Sequence, residues 1–196
     1  FESHDGKAVT CDDFVSAMEQ VSGRDLLQFR RWYEQSGTPD LTIEDHYDPV
    51  TRLATLTVRQ SNGLSADGSK KPPLHLPLAV GLVVNGESHT FEEGSTTRLL
   101  EVTEPSQVFQ INNVDDKPVV SLLRGFSAPV RLKSADDDNT LAMLIGSDTD
   151  DFVKWGAMRR YASRVIEAQM RGESLSGAFV SAYRQVMSSD IDDAMK

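Results

Sequence analysis

From Leu74 to Val84 every second residue is apolar: Leu74, Leu76, Leu78, Val80, Leu82 and Val84. Strict period two fills one face of a β-strand and smears around a helix, so the chain must contain a sheet with a buried face. His75, Pro77, Ala79, Gly81 and Val83 fall on the opposite face. Pro77 has no N–H for a ladder, which predicts an edge position or a bulge. Asn85-Gly86 follows at once and predicts a tight hairpin, because both central residues of that turn need positive φ.

Around this strand the chain divides into three compositional zones. Residues 1–39 read as helical. Thr10 is a good N-cap with Asp13 three residues on, and Phe14, Val15, Met18 and Val21 follow at helical spacing. A second helix is expected to carry Leu26, Phe29, Trp32 and Tyr33, with Gly37 and Pro39 as stops. Residues 40–133 read as β. Leu41, Ile43, Asp45 and Tyr47 alternate with other residues, Asp48-Pro49 turns, and Ala54, Leu56 and Val58 return. Short strands are predicted at 87–91, 97–102, 107–111, 119–123 and 128–132, and 62–73 reads as a long polar loop. Residues 134–196 are helical again. Phe152, Trp155, Met158, Ala162, Val165 and Ile166 mark one helix, Gly172 interrupts, and Ser174 is expected to cap another with Leu175, Ala178, Phe179, Ala182 and Val186. The expected fold class is mainly β with flanking α: an immunoglobulin-like antiparallel sandwich between two helical segments.

The net charge is -10 without a basic cluster, which argues against nucleic acid as a partner. No apolar run approaches a membrane span, so no membrane partner is expected. Cys11 is the single cysteine, so no internal disulfide can form; a reducing, cytoplasmic setting is the expectation, with Cys11 a packing residue. Phe1 to His4 read as the tail of a helix and DIDDAMK carries no helix stop, so both ends look cut from a longer chain.

A search for chemistry finds none. Four histidines occur, His4, His46, His75 and His89, with no H-E-x-x-H and no two at helical spacing for zinc. His75 and His89 could meet across strands but would still lack a third ligand. Asp45 and His46 are strand neighbours on opposite faces, and Asp48 reads as a solvated strand end. Asp136, Asp137 and Asp138 with Asn139 miss the EF-hand spacing and read as a charged linker ending in a helix cap. Ser127 has no adjacent base. Arg30 and Arg31 beside Trp32 and Tyr33 suggest a cation–π patch, but the helical spacing favours packing. No catalytic, substrate-binding or metal-ligating residue is therefore assigned.

Six blocks carry a resemblance. HDGKAVTCDDFVSAME (4–19) resembles the closing helices of the catalytic domain in the bacterial aminopeptidase N family, and FRRWYEQSGTP (29–39) resembles the passage out of that domain. LTIEDHYDP (41–49), KPPLHLPLAVGL (71–82) and LLRGFSAPVRL (122–132) resemble that family's connector sandwich. TLAMLIGSDTDDFVKWGAMRRYA (140–162) resembles the start of its C-terminal helical domain. The blocks run in the family's order over nearly the whole chain. The resemblance implies a parent zinc exopeptidase that removes N-terminal residues from peptides. It places the zinc ligands, the H-E-x-x-H glutamate and the G-A-M-E-N segment before Phe1. It implies that 1–39, 40–133 and 134–196 are parts of three domains. The sandwich would be a rigid spacer, inactive alone and without a cofactor of its own. The other domains would be partners in cis, and the end helices would drive dimerisation when exposed, through Leu26, Phe29, Trp155 and Phe179. An independent sandwich module binding peptide or carbohydrate through loop 62–73 is the alternative, although that loop holds no aromatic residue.

Overall fold

The computed structural model describes residues 5–188. His4, the expected helical tail at 1–4 and the DIDDAMK segment lie outside the described residues. Two helices, α1 (Cys11–Ser22) and α2 (Arg31–Glu34), precede eight strands: β1 (Asp40–Asp48), β2 (Leu53–Ser61), β3 (Leu76–Val84), β4 (Glu87–Ser88), β5 (Arg98–Val102), β6 (Ser106–Ile111), β7 (Val119–Leu122) and β8 (Arg131–Lys133). Helices α3 (Asp138–Ser147), α4 (Asp151–Met170) and α5 (Gly177–Met187) complete the chain's described elements.

The strands make two facing sheets. One has the order β6-β2-β1-β8; in the other, β3 is flanked by β4 and β5 along one edge and by β7 along the other. Pairing is antiparallel throughout except for the short β1–β8 pair, which runs parallel. The alternating residues of β3 build the core. Leu74, Leu76, Leu78, Val80 and Leu82 pack with Leu41, Leu56, Val58, Val102 and Ile111 from the other strands. Each such burial contributes about 1.5–3 kcal/mol.

Pro77 sits where β3 has a neighbour only on the β5 side, since β7 covers Val80 to Val83. Ala79 sends its N–H away from β5 to the Ser127 hydroxyl, 2.9 Å away. N–H groups alternate sides along a strand, so the N–H that Pro77 lacks would also have faced this open flank. The expectation of a local edge is met. Asn85 (φ 52°) and Gly86 (φ 84°) form the hairpin between β3 and β4 as their dipeptide demands.

Several local expectations need correction. Thr10 does cap α1, in a full capping box with Asp13. The second helix, however, is confined to the four residues of α2: the N–H groups of Leu26 and Leu27 are taken by the carboxylates of Glu19 and Asp25, and residues 27–30 form turns ahead of it. The strand expected at 128–132 is confined to β8, with Val130 donating its N–H back to the Ala128 carbonyl. Ser176, not Ser174, caps α5 by accepting from Phe179 N, which leaves Leu175 exposed before the helix. The outer face of β3 is also buried where Ala79, Gly81 and Val83 lie, a point that period two alone does not reveal. Cys11, expected to pack, is exposed. No helix among the described residues is long and apolar enough to cross a membrane.

Candidate functional site

The titratable residues singled out in the sequence do not converge. His75 precedes β3, whereas His89 donates its backbone N–H to Leu82 near the other end, roughly 20 Å along the strand at ~3.3 Å per residue. His75 Nε2 lies 3.3 Å from Glu101, and His89 packs edge-on against Phe91. His46 faces Thr55 across the β1–β2 ladder and Asp45 faces Leu56. Asp48 holds the turn after β1: its carboxylate accepts from Val50 N and from the Thr51 hydroxyl, and these bonds keep it below the usual carboxylate range. Of the aspartate run, Asp137 caps α3 through Thr140 N, Asp136 pairs with Arg160 and Asp138 with Arg164. Among the described residues, no three His, Cys, Asp or Glu side chains cluster as a metal ion requires. The donor set that the family resemblance associates with zinc is thus not met by these residues.

What the structure does assemble is a pair of junctions, one at each end of the sandwich. At the N-terminal junction, residues 28–36 cap carbonyl groups of the 71–75 segment. Arg31 Nη1 reaches the Pro73 carbonyl at 2.7 Å, Trp32 Nε1 the His75 carbonyl at 2.9 Å, and Gln35 Nε2 the Pro72 carbonyl at 3.1 Å. Gln28 bonds Pro73 and Thr103 carbonyls, and Lys71 Nζ reaches back to Ser36 O. Arg30 turns the other way, to Asp12 and Glu19 of α1, each at 2.6 Å. The side chain of Glu19 is held below its ordinary pKa by that guanidinium first and by Leu26 N second. The Arg30–Tyr33 run is therefore a strap and not a recognition patch. Trp32 packs on the sandwich core as expected, whereas Tyr33 is more than half exposed.

The C-terminal junction turns on Arg124. Its side chain is 5% exposed and that of its partner Asp148 is 1% exposed. Arg124 Nη1 donates to the Thr96 carbonyl (2.5 Å) and the Thr97 hydroxyl (2.9 Å); Nη2 donates to Asp148 (3.1 Å) and to the Thr149 hydroxyl. One guanidinium thus joins the β5 approach to the α3–α4 turn. Gly81 is the floor beneath it: a Cβ there would stand 2.6 Å from Arg124 Nη1. The backbone around Arg124 is bent to suit, with Leu123 (φ 58°), Gly125 (φ 59°) and Phe126 (φ 53°) all left-handed. Gly125 N donates to Asp150, the N-cap of α4, at 2.8 Å. Phe126 then packs at a tilt against Phe152, and Phe152 against Trp155, with ring centroids 5.1 Å and 5.8 Å apart. Sequence reasoning assigns no role to Arg124, Asp148 or Thr149 and does not bring Gly81 against them. The one signal for them is a lone glycine inside the strongest strand, which marks close approach by another group.

The contacts at both junctions are mainly side chain to backbone or to an opposite charge, with Arg124 Nε and Asp148 Oδ2 left buried without a hydrogen-bond partner among the described residues.

Residues 37–135 match the family described as a domain of unknown function (DUF3458) with an Ig-like fold, and residues 138–196 match its C-terminal companion, described as ARM repeats. Among curated proteins, the chain is similar to aminopeptidase N of Escherichia coli strain K12, 42% identical over 183 residues, which is 90% of this chain and 21% of that protein. Aminopeptidase N of Haemophilus influenzae is 44% identical over 157 residues, 79% of this chain and 18% of the relative. That of Caulobacter vibrioides is 36% identical over 172 residues, 88% and 20% respectively. Among solved structures, Legionella pneumophila aminopeptidase A in complex with aspartic acid superposes with a TM-score of 0.81 at 29% identity, over 96% of this chain and 21% of the other. The chain spans about a fifth of the length of these relatives.

Proposed function

This chain belongs to the Ig-like DUF3458 family, and from that membership we propose that it is the connector of a zinc aminopeptidase, the stiff segment between a catalytic domain and a C-terminal helical domain. The observation that carries the proposal is the Arg124 junction, a buried ion pair that welds the sandwich to the turn between α3 and α4. Packed interiors resist deformation, whereas a polar linker would let the next domain drift. A spacer of this kind sets how far the helical domain stands from the catalytic face and so which peptides can enter.

In this reading 1–39 closes the catalytic domain, 40–133 is the sandwich and 134–196 opens the helical domain. Peptides are the substrates of the longer protein, and its zinc is held by other segments. No residue of this chain is catalytic, binds the peptide undergoing cleavage or ligates metal. A cytoplasmic location accords with the single cysteine. The remaining domains act in cis. They would cover the apolar groove of about 820 Å³ on α1, lined by Val9, Phe14, Met18 and Val21. Leu26, Phe29, Trp155 and Phe179, which the sequence suggested would be laid bare, are instead half-buried. Without those domains the α1 groove drives dimerisation; one monomeric species over a wide concentration range would contradict this.

Two measurements test the reading. The 196-residue chain with zinc and an alanyl chromogenic amide is expected to show no turnover, and turnover above the blank overturns it. In the longer enzyme, Arg124→Met is expected to leave hydrolysis of that small amide unchanged and to shift the ratio of long to short peptides cleaved. An unchanged ratio, with the junction loosened by hydrogen exchange, would refute the spacer role.

A further inference from the structure

A second cavity lies where β7 and β8 meet α4, with a volume of about 380 Å³. That size falls in the range of small-ligand sites. Its floor is apolar: Val120, Leu122, Leu144, Phe152 and Trp155 line it. Its rim is cationic, with Arg131, Arg159 and Arg160 against one carboxylate, Asp136, in a chain whose net charge is -10.

The three guanidiniums are unequally satisfied. Arg131 pairs with Asp40 at 2.8 Å, outside the cavity. Arg159 lies over the Trp155 ring, 4.9 Å from its centroid, and has no carboxylate partner among the described residues. Arg160 bonds Asp136 through Nη2 at 3.1 Å, but its Nε is buried and has no acceptor. Burial pushes the Arg160 pKa below its ordinary value, the Asp136 charge opposing that only in part. The Nε itself is closed off, but the Arg160 side chain is 40% exposed, so its outer guanidinium N–H groups can meet an anion that adds to the compensation Asp136 gives.

We propose that this cleft binds a carboxylate carried on an apolar body, of the kind presented by a free apolar amino acid or by the C-terminal residue of a peptide. The carboxylate accepts from Arg159 and Arg160, while the apolar part lies on Phe152, Trp155 and Leu122. Asp136 remains close enough to the rim to take an α-ammonium where the ligand has one. The proposal does not depend on the connector reading, since it rests on the cavity and its charges alone. Occupancy would bridge the sandwich and α4.

The test is a ¹⁵N NMR titration of the 196-residue chain, which has two tryptophans and therefore two indole signals. N-acetyl-L-phenylalanine is expected to shift the Trp155 indole saturably, at about millimolar concentration, and to leave Trp32 unmoved. N-acetyl-L-phenylalaninamide, which keeps the ring and loses the charge, is expected not to saturate. Arg159→Gln, at an exposed position, is expected to weaken acetylphenylalanine by roughly tenfold, the scale of a lost charge-assisted bond. L-phenylalanine forms the third arm: tighter binding than the acetylated form assigns the site to free amino acids, and weaker binding to peptide C-termini. Saturation by the amide at equal affinity, an unchanged affinity in Arg159→Gln, or no saturable shift at Trp155 overturns the proposal.

Discussion

Replacing Arg124 by Met keeps the length and much of the volume of the side chain while removing its charge. The cost lies in the partners left behind. Asp148, with a side chain 1% exposed, loses its one ion-pair partner among the described residues and keeps the bond from Asp150 N at 2.8 Å. The Thr96 carbonyl and the Thr97 and Thr149 hydroxyls lose their donor as well. Removing one member of a buried pair costs about 3–5 kcal/mol, mostly for stranding the other charge. For a chain of this size that corresponds to a drop of roughly 6–20 °C in Tm. Urea unfolding followed by far-ultraviolet circular dichroism gives the free energy, and calorimetry gives Tm. The double variant Arg124→Met/Asp148→Leu leaves no buried charge, so most of the loss is expected to return. A double-mutant cycle then isolates the coupling between the two side chains. If Arg124→Met destabilises by less than about 1 kcal/mol, or the second substitution adds to the loss, the junction is not held by this pair.

The same geometry sets further outcomes. Gly81→Ala forces Arg124 off its floor and should destabilise by about 2–3 kcal/mol in thermal unfolding; the same change in the Arg124→Met background should be far milder, because the flexible thioether can move aside. Gly86→Val places a β-branched residue at φ 84°, and a loss of about 1–3 kcal/mol by urea unfolding is expected, without change in the far-ultraviolet spectrum. Asp40 is held below the usual carboxylate range by Lys133 first and Arg131 second. Its contribution is thus present above the ordinary aspartate pKa and is lost as pH falls through the lowered folded value. Amide protection of β8 should fall in that acid window in the native chain, and Asp40→Asn should flatten the dependence.

The sandwich was legible because burial on one face writes period two into the sequence. Leu74 to Leu82 announced the strand, and Asn85-Gly86 its turn, since both effects are local. The cap at Thr10 is legible for the same reason, since the acceptor and the orphan N–H are three residues apart. What was missed is non-local. Leu26, Phe29, Trp32 and Tyr33 have helical spacing, yet Gln28, Arg31 and Trp32 spend their donors on carbonyl groups more than 40 residues away. No window of a dozen residues contains those acceptors. Ser174 and Ser176 are both serines before an apolar run, and only the first-turn N–H of Phe179, which finds its acceptor on Ser176, separates them.

The Arg124 junction shows why contacts between elements escape local patterns. Within residues 122–132, Arg124 and Arg131 are the two charged residues among mostly apolar neighbours, and local reasoning sends both to solvent. Arg124 is buried because three distant features agree: a strand position without a side chain at Gly81, carbonyl and hydroxyl acceptors at 96–97, and an acid at 148. Any one of them alone would be disfavoured, since an interior glycine weakens a strand and an unpaired buried carboxylate is expensive. Their joint presence is consistent only with a fixed spacing between β3 and the α3–α4 turn. A flexible attachment would need none of the three, so the residues that sequence patterns explain least are those that hold the sandwich and the helices at one angle.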